Sequence, residues 1–124
     1  MKKRVLVDMS LTILHHGHIR LLKKASDLGY VIVALCTDEE ILKAKGFKPL
    51  LSFNERKEIA LAIRYVEEVI SCGFLIDEAY LDKHNIDLLV HGDDNVNPIP
   101  SDRLVLFPRT EGVSSTMLRE NIPI

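Results

Sequence analysis

His15, His16 and His18 stand around Gly17, after the apolar run Val5-Leu6-Val7 and at the start of Ile19-Arg20-Leu21-Leu22-Lys23-Lys24-Ala25. A strand hands over to a helix there, and the free N–H groups and dipole of a first helical turn favour negative charge. Imidazoles added at that point meet a bound phosphate, or the charge growing on one. From the residues alone three readings stay open: a solvated turn, a metal site and a phosphate site. A metal site wants a third ligand and an acidic partner behind the histidines, and nothing nearby has a recognised zinc spacing, so no metal ligand is assigned. Neither G-x-G-x-x-G nor G-x-x-x-x-G-K-[ST] occurs. A phosphate site in this chain must therefore be built from histidines, lysines and helix starts.

The elements that hold these residues are legible from periodicity. Lys3 to Val7 reads as a buried strand, and Ile19, Leu22, Ala25 and Leu28 recur at helical spacing until Gly29 supplies a stop. Tyr30 to Cys36 is a second strand, and Thr37-Asp38-Glu39-Glu40 has the spacing of a capped helix start. Lys43 to Pro49, with three lysines, a glycine and a proline, predicts a mobile basic loop. Ser52-Phe53-Asn54-Glu55 is a capping box, opening a helix whose apolar face is Ile59, Ala62, Ile63 and Val66. Beyond it come a short strand at Glu68-Val69-Ile70, a short helix over Asp77 to His84, a strand over Ile86 to His91 and a last strand over Arg103 to Phe107. Asn97, Pro98 and Pro100 leave little room for a helix between those two strands. Val113-Ser114-Ser115-Thr116 leads into a short C-terminal helix.

Strands alternating with helices predict one α/β, Rossmann-like domain over residues 1–124, with a mostly parallel five-stranded sheet flanked by helices. Ligands of such sheets sit beyond the carboxyl ends of the strands. His15–His18, Thr37-Asp38, Gly92-Asp93-Asp94 and Arg109–Thr116 each follow a strand, so the four clusters are expected to converge on one edge.

Hydrophobic residues make up 47% of the 124-residue chain and charged ones 27%, which suits one folded domain. With 16 basic against 18 acidic residues the net charge is −2, so there is no basic footprint for nucleic acid. No segment has the length of a membrane span. Met1-Lys2-Lys3-Arg4 starts like a signal peptide, but the apolar run behind it is broken at Asp8. Cys36 and Cys72 read as isolated, buried, inert thiols, from which a cytoplasmic location is expected.

Residues around and far from the histidines match one family. Leu14-His15-His16-Gly17-His18 resembles the H-x-G-H signature of the nucleotidyltransferase superfamily. Lys45-Gly46, Glu55-Arg56, Arg64 to Ile70, His91-Gly92-Asp93-Asp94 and Arg109-Thr110-Glu111-Gly112-Val113-Ser114-Ser115-Thr116 follow in the order seen in glycerol-3-phosphate cytidylyltransferases, and choline-phosphate cytidylyltransferases share much of it. The resemblance implies transfer of CMP from CTP to a small phosphorylated alcohol with release of pyrophosphate. It implies catalytic roles for His15, His18 and Lys45, and nucleotide contacts from Met9, Ser10, Gly17, Asp93, Asp94, Arg109, Val113, Ser114, Ser115 and Thr116. Thr12 and Arg56 fall on the acceptor side, Mg2+ accompanies the triphosphate, and the family is often dimeric, so a homodimer is expected. By the same pattern Gly17 keeps the helix start open for close approach of the nucleotide.

The chain departs from the family's G-x-F-D-x-x-H-x-G-H: Met9, Leu11 and Thr12 replace glycine, phenylalanine and aspartate. Thr12 leaves the acceptor's identity open, and Asp8 is the nearest carboxylate able to compensate. The stretch from Asp94 to Arg109 is short where relatives carry a helix, which a second copy of the chain would wall. Three rivals stay open: adenylyl transfer from ATP, a nucleotide-binding module without catalysis, and a metal-dependent hydrolase built on the histidines.

Overall fold

A computed structural model describes residues 2–114, Thr116 and Leu118. Five strands, β1 (Lys3–Met9), β2 (Gly29–Cys36), β3 (Glu68–Cys72), β4 (Leu88–Gly92) and β5 (Leu104–Phe107), form one sheet in the order β3-β2-β1-β4-β5. Every neighbouring pair is parallel, as an α/β Rossmann-like architecture requires. The strand order reverses between β1 and β4, the place where ligands of open parallel sheets bind.

Alternation along the strands sorts the core onto two faces. Val5, Val7, Val31, Val33 and Leu35 pack with Leu22 and Ala25 of α1 (His16–Ser26) and Ala60 of α3 (Phe53–Leu61). Leu6, Ile32, Ala34 and Cys36 pack with Ile41 of α2 (Asp38–Lys45) and Leu81 of α4 (Glu78–Lys83). Strands buried on both faces carry near-continuous apolar runs, which is why Tyr30 to Cys36 was readable as a strand.

Several expectations shift. β1 runs on to Met9, so Asp8 is a strand residue on the same face as Leu6. α1 is capped at Asp27 rather than stopped by Gly29, which opens β2 instead. A Cβ on Gly29 would collide with the Lys3 carbonyl oxygen and lie 3.2 Å from Val5 Cγ2, so the glycine serves close strand pairing. Lys43 and Lys45 are helical, not in a mobile loop. The Thr37 hydroxyl caps α2, acidic residues fill its first turn and lysines its last, and Gly46 ends it at φ 77° with its N–H donated to Leu42 O at 2.8 Å. α3 ends at Leu61, and Ile63 and Val66 reach the core from the tight turn beyond it. A 3-10 turn over Ser101–Arg103 occupies part of the short connection before β5. Of the expected C-terminal helix, Leu118 N–H donates to Ser114 O at 3.0 Å, and Ser115 lies outside the described residues.

Gly29→Ala is expected to lower stability by about 3 kcal/mol through this backbone collision, read as the shift in urea unfolding midpoint.

Candidate active site

The three-position repeat of histidines is itself a capping box. His15 is the N-cap of α1, and its Nδ1 accepts the Gly17 N–H at 3.1 Å. In return the His15 N–H donates to Nδ1 of His18 at 3.1 Å. Serine or threonine with glutamate ordinarily fills these roles, satisfying orphan N–H groups in both directions. Here both acceptors are ring nitrogens. An Nδ1 that accepts a backbone hydrogen carries none of its own, so the remaining hydrogen of each neutral ring sits on Nε2. The rings stack with centroids 3.9 Å apart. Burial is the main cause holding both below the ordinary histidine range, His18 at about 4, with repulsion from His16 and Arg109 adding to it at His15 and from His15 at His18. At neutral pH the pair presents two neutral Nε2–H donors.

Gly17, which lines the basin, also answers a local need. A Cβ there would lie 2.8 Å from Cε1 and 2.9 Å from Nδ1 of His15. The glycine leaves room for the capping ring, and the ring is thereby laid along the helix start.

These histidines line a basin of about 460 Å³ at the carboxyl ends of the strands. Met9, Ser10, Gly17, Lys45, Asp94, Arg109, Val113, Ser114 and Thr116 line it too, so most of the residues expected to touch a nucleotide meet there. Lys45, at the end of α2, brings Nζ to 3.5 Å from Ser10 Oγ. Arg20 and Lys24 on α1 add positive charge that no motif singles out. Gly92 makes the close fit of the β4 end possible, since a Cβ there would sit 2.8 Å from Asp94 Oδ1 and 3.2 Å from Arg109 Cγ.

A row of polar side chains crosses the floor. Asp8 Oδ1 faces His91 Nε2 at 3.6 Å, His91 Nδ1 lies 3.6 Å from Asp94 Oδ1, and Asp94 Oδ2 lies 3.7 Å from Arg109. His91 Nδ1 is 3.1 Å from its neighbour's carbonyl, to which it can only donate. In the neutral ring that leaves a lone pair on Nε2 turned toward Asp8, and Asp8 Oδ1 is buried with no hydrogen-bond partner. Burial pushes the Asp8 carboxyl above its ordinary range, with His91 and Asn97 partly offsetting it. Asn97, itself buried, accepts the Ile76 N–H at 2.7 Å and reaches Asp8 Oδ2 at 3.4 Å, tying the loop after β3 to the one after β4. His91 stands in the matched His91-Gly92-Asp93-Asp94 segment with no role assigned to it, and Asn97 reads only as a loop residue, because their contacts with Asp8 arise from a strand pairing.

The remaining expected residues lie elsewhere. Arg56 is 1% exposed, and its guanidinium donates to the carbonyls of Leu51, Ser10 and Cys36 and to Asp38 Oδ1 at 2.6 Å. It braces the ends of β1 and β2 against α2 instead of facing the basin. Asp38 belongs to that brace and Thr37 to the cap of α2, so the Thr37-Asp38 cluster does not join the other three. Thr12 is nearly buried and lines, with Arg56, a separate apolar cleft with Leu11, Leu14 and Leu50. Asp93 is exposed, outside the basin lining. Cys36 and Cys72 are free and buried as expected, but not isolated: they are register partners on β2 and β3, and both line the basin. Among the described residues no three histidine, cysteine or acidic side chains cluster to hold a metal, and no helix is long and apolar enough to cross a membrane.

Residues 12–107 match the model of the cytidylyltransferase-like family. The chain is 40% identical over 126 residues to the glycerol-3-phosphate cytidylyltransferase of Bacillus subtilis, covering 97% of both chains. It is 35% identical to the Staphylococcus aureus protein of the same name, covering 97% of this chain and 95% of that one. It is 36% identical to the ethanolamine-phosphate cytidylyltransferase of Arabidopsis thaliana, covering 91% of this chain and 30% of that longer protein. In fold it resembles the lipopolysaccharide core biosynthesis protein of Thermoplasma volcanium, with a TM-score of 0.72 at 19% identity over 88% of this chain and 98% of that one.

The depressed His18 predicts acid sensitivity with a definite sign. Unfolded chains take up a proton near the ordinary value of 6.5 that folded His18 refuses until about pH 4, so stability is full above that window and falls as pH drops through it. The loss is of order 3 kcal/mol. His18→Asn, which does not titrate, is expected to lose this share of the acid dependence when urea midpoints are compared across the same window.

Proposed function

The chain belongs to the cytidylyltransferase-like family, and on that premise we propose that it transfers CMP from CTP to a small phosphorylated alcohol of the glycerol-3-phosphate kind. The observation that carries this is the pair of Nε2–H donors held at the head of α1 by the imidazole capping box, facing a basin lined by Lys45 and Arg109. An oxygen of the acceptor's phosphate forms the new bond to the α-phosphorus of CTP. The bond to the bridging oxygen breaks, and that oxygen leaves with its electron pair as pyrophosphate. The nucleophile needs no deprotonation at neutral pH, so the work of the protein is alignment and stabilisation of charge on the phosphoryl oxygens.

Neutral imidazoles suit that task, because they donate to the transition state without drawing the triphosphate into tight ground-state ion pairs. Arg109 and Lys45 supply the fixed charge, a fork and a mobile point respectively. Ser114 and Thr116 offer hydroxyls to the distal phosphates. Mg2+ would accompany the triphosphate and be held chiefly by its phosphates, with Asp94 a basin-wall carboxylate able to join them, and it would lower the charge of the β- and γ-phosphates. A homodimer is supported by the apolar cleft in which Leu50 is 75% exposed. A cytoplasmic setting is supported by the two free thiols.

Pyrophosphate release measured with CTP and ATP against glycerol-3-phosphate and related acceptors tests the reading. Release is expected with CTP, lost on chelating magnesium; release with ATP alone would move the chain to adenylyl transfer, and binding of CTP without release under any pairing would make it a nucleotide-binding module. His15→Asn and His18→Asn, which keep an acceptor close to the Nδ1 position and remove the Nε2–H donor, are expected to lower kcat about 100- to 1,000-fold while the fold persists. Equal loss of folding and activity would assign the rings a structural role only.

A further inference from the structure

Cys36 and Cys72 are the last residues of β2 and β3 and stand opposite each other in the parallel register. Both are free, both line the basin, and both belong to the same apolar cluster on one face of the sheet. Neighbouring strands lie about 4.8 Å apart, inside the Cα separation of about 4.4–6.8 Å across which a disulfide closes. The two thiols are chemically unequal. Cys72 hydrogen bonds to the Cys36 sulfur, and this is the main cause holding Cys36 below and Cys72 above the ordinary thiol range; burial opposes the first shift and adds to the second. The charges of Arg56 and Lys45 favour a Cys36 thiolate too, against that of Glu40. Cys36 is thus the nucleophile of the pair, and Cys72 sits where a resolving thiol must.

We propose that Cys36 and Cys72 form a peroxide-responsive dithiol, a site of reversible oxidation whose closure lowers turnover in the basin. The oxidant is hydrogen peroxide, small and uncharged enough to reach residues that are 4% and 6% exposed. The Cys36 thiolate attacks one peroxide oxygen, the O–O bond breaks, and the departing hydroxide takes back the proton Cys36 had released, leaving water and a sulfenic acid on Cys36. The Cys72 sulfur then attacks the Cys36 sulfur, the S–O bond breaks, and the second hydroxide leaves as water with the Cys72 proton. Two thiols and one peroxide give one disulfide and two waters.

The consequence follows from what the two residues hold. A disulfide keeps its Cβ atoms about 3.8 Å apart, so closure draws the strand ends together by about 1 Å. The Cys36 carbonyl accepts from Arg56 at 3.0 Å, the Cys72 carbonyl accepts the Thr37 N–H at 3.2 Å, and Thr37 caps the helix that ends in Lys45. Closure therefore shifts Lys45 against the rest of the basin. The effect on turnover rests on the cytidylyl-transfer reading; the disulfide does not.

The test treats the full chain with a small excess of hydrogen peroxide, blocks remaining thiols by alkylation, and maps the peptides by mass spectrometry without reductant. The expected result is a link from Cys36 to Cys72 within one chain, opened by dithiothreitol, and a fall of about tenfold or more in pyrophosphate release that the same reductant restores. Cys72→Ser is expected to stop Cys36 at a sulfenic acid that dimedone traps, and Cys36→Ser to leave Cys72 unoxidised. Thiols that do not react in the native chain, oxidation of either without a link, or links only between chains overturn the dithiol, and this mapping of the unsubstituted chain needs no variant to fold. A linked chain that releases pyrophosphate as fast as the reduced one overturns its control of the basin. A link formed in a chain that releases no pyrophosphate even when reduced sinks the transfer reading and keeps the dithiol.

Discussion

The site depends on one reciprocal interaction, the exchange of backbone hydrogens between His15 and the first turn of α1. It satisfies N–H groups that any helix start leaves unpaired, and it does so with residues that line the basin. Three consequences follow from the same two hydrogen bonds: the helix begins at His16, both rings are held in orientation, and their tautomer is set with hydrogen on Nε2. Gly17 is part of this device, since any side chain there would displace the ring that caps the helix. Preorganisation of this kind needs no further support from a flexible loop, because both rings are tied to backbone atoms of the helix start that carries them.

A second constraint holds the floor in place. Arg56 fixes the carbonyls of Ser10 and Cys36 at the ends of two neighbouring strands and ties them to Asp38 at the head of α2. A guanidinium is suited to this because its planar fork donates in several directions at once, and a buried one must have its hydrogens satisfied. Lys45 then gains its position from the opposite end of the same helix, with Gly46 closing the last turn behind it. The α2 segment therefore links a structural arginine to a basin-lining lysine across eight residues.

Against these satisfied groups the Asp8 carboxylate stands out. Everything around it on the sheet face is apolar or bonded, and Asn97 is committed chiefly to Ile76 and Asn95.

Local order was legible in the residues because it rests on short-range rules. Strand and helix alternation, the cap at Thr37, the capping box at Ser52 and the parallel sheet follow from period, β-branching and cap chemistry, and the motifs at His15–His18 and Arg109–Thr116 located the basin. Pairing across long sequence separation was not legible. Arg56 looked like a phosphate contact because a helix start and a positive charge are the same in sequence whether the guanidinium turns outward or inward. Lys45 read as part of a loop because the glycine and proline beside it leave no regular period, whereas the helix begun at Thr37 runs on through it to Gly46. Asp8 meets His91 and Asn97 only through the neighbouring of β1 and β4 and a loop that folds back over both. The chain by itself decided which groups stand at strand ends; which of those groups face the ligand was settled by burial and hydrogen bonding between elements, forces that act between residues far apart in the chain and leave no spacing to read.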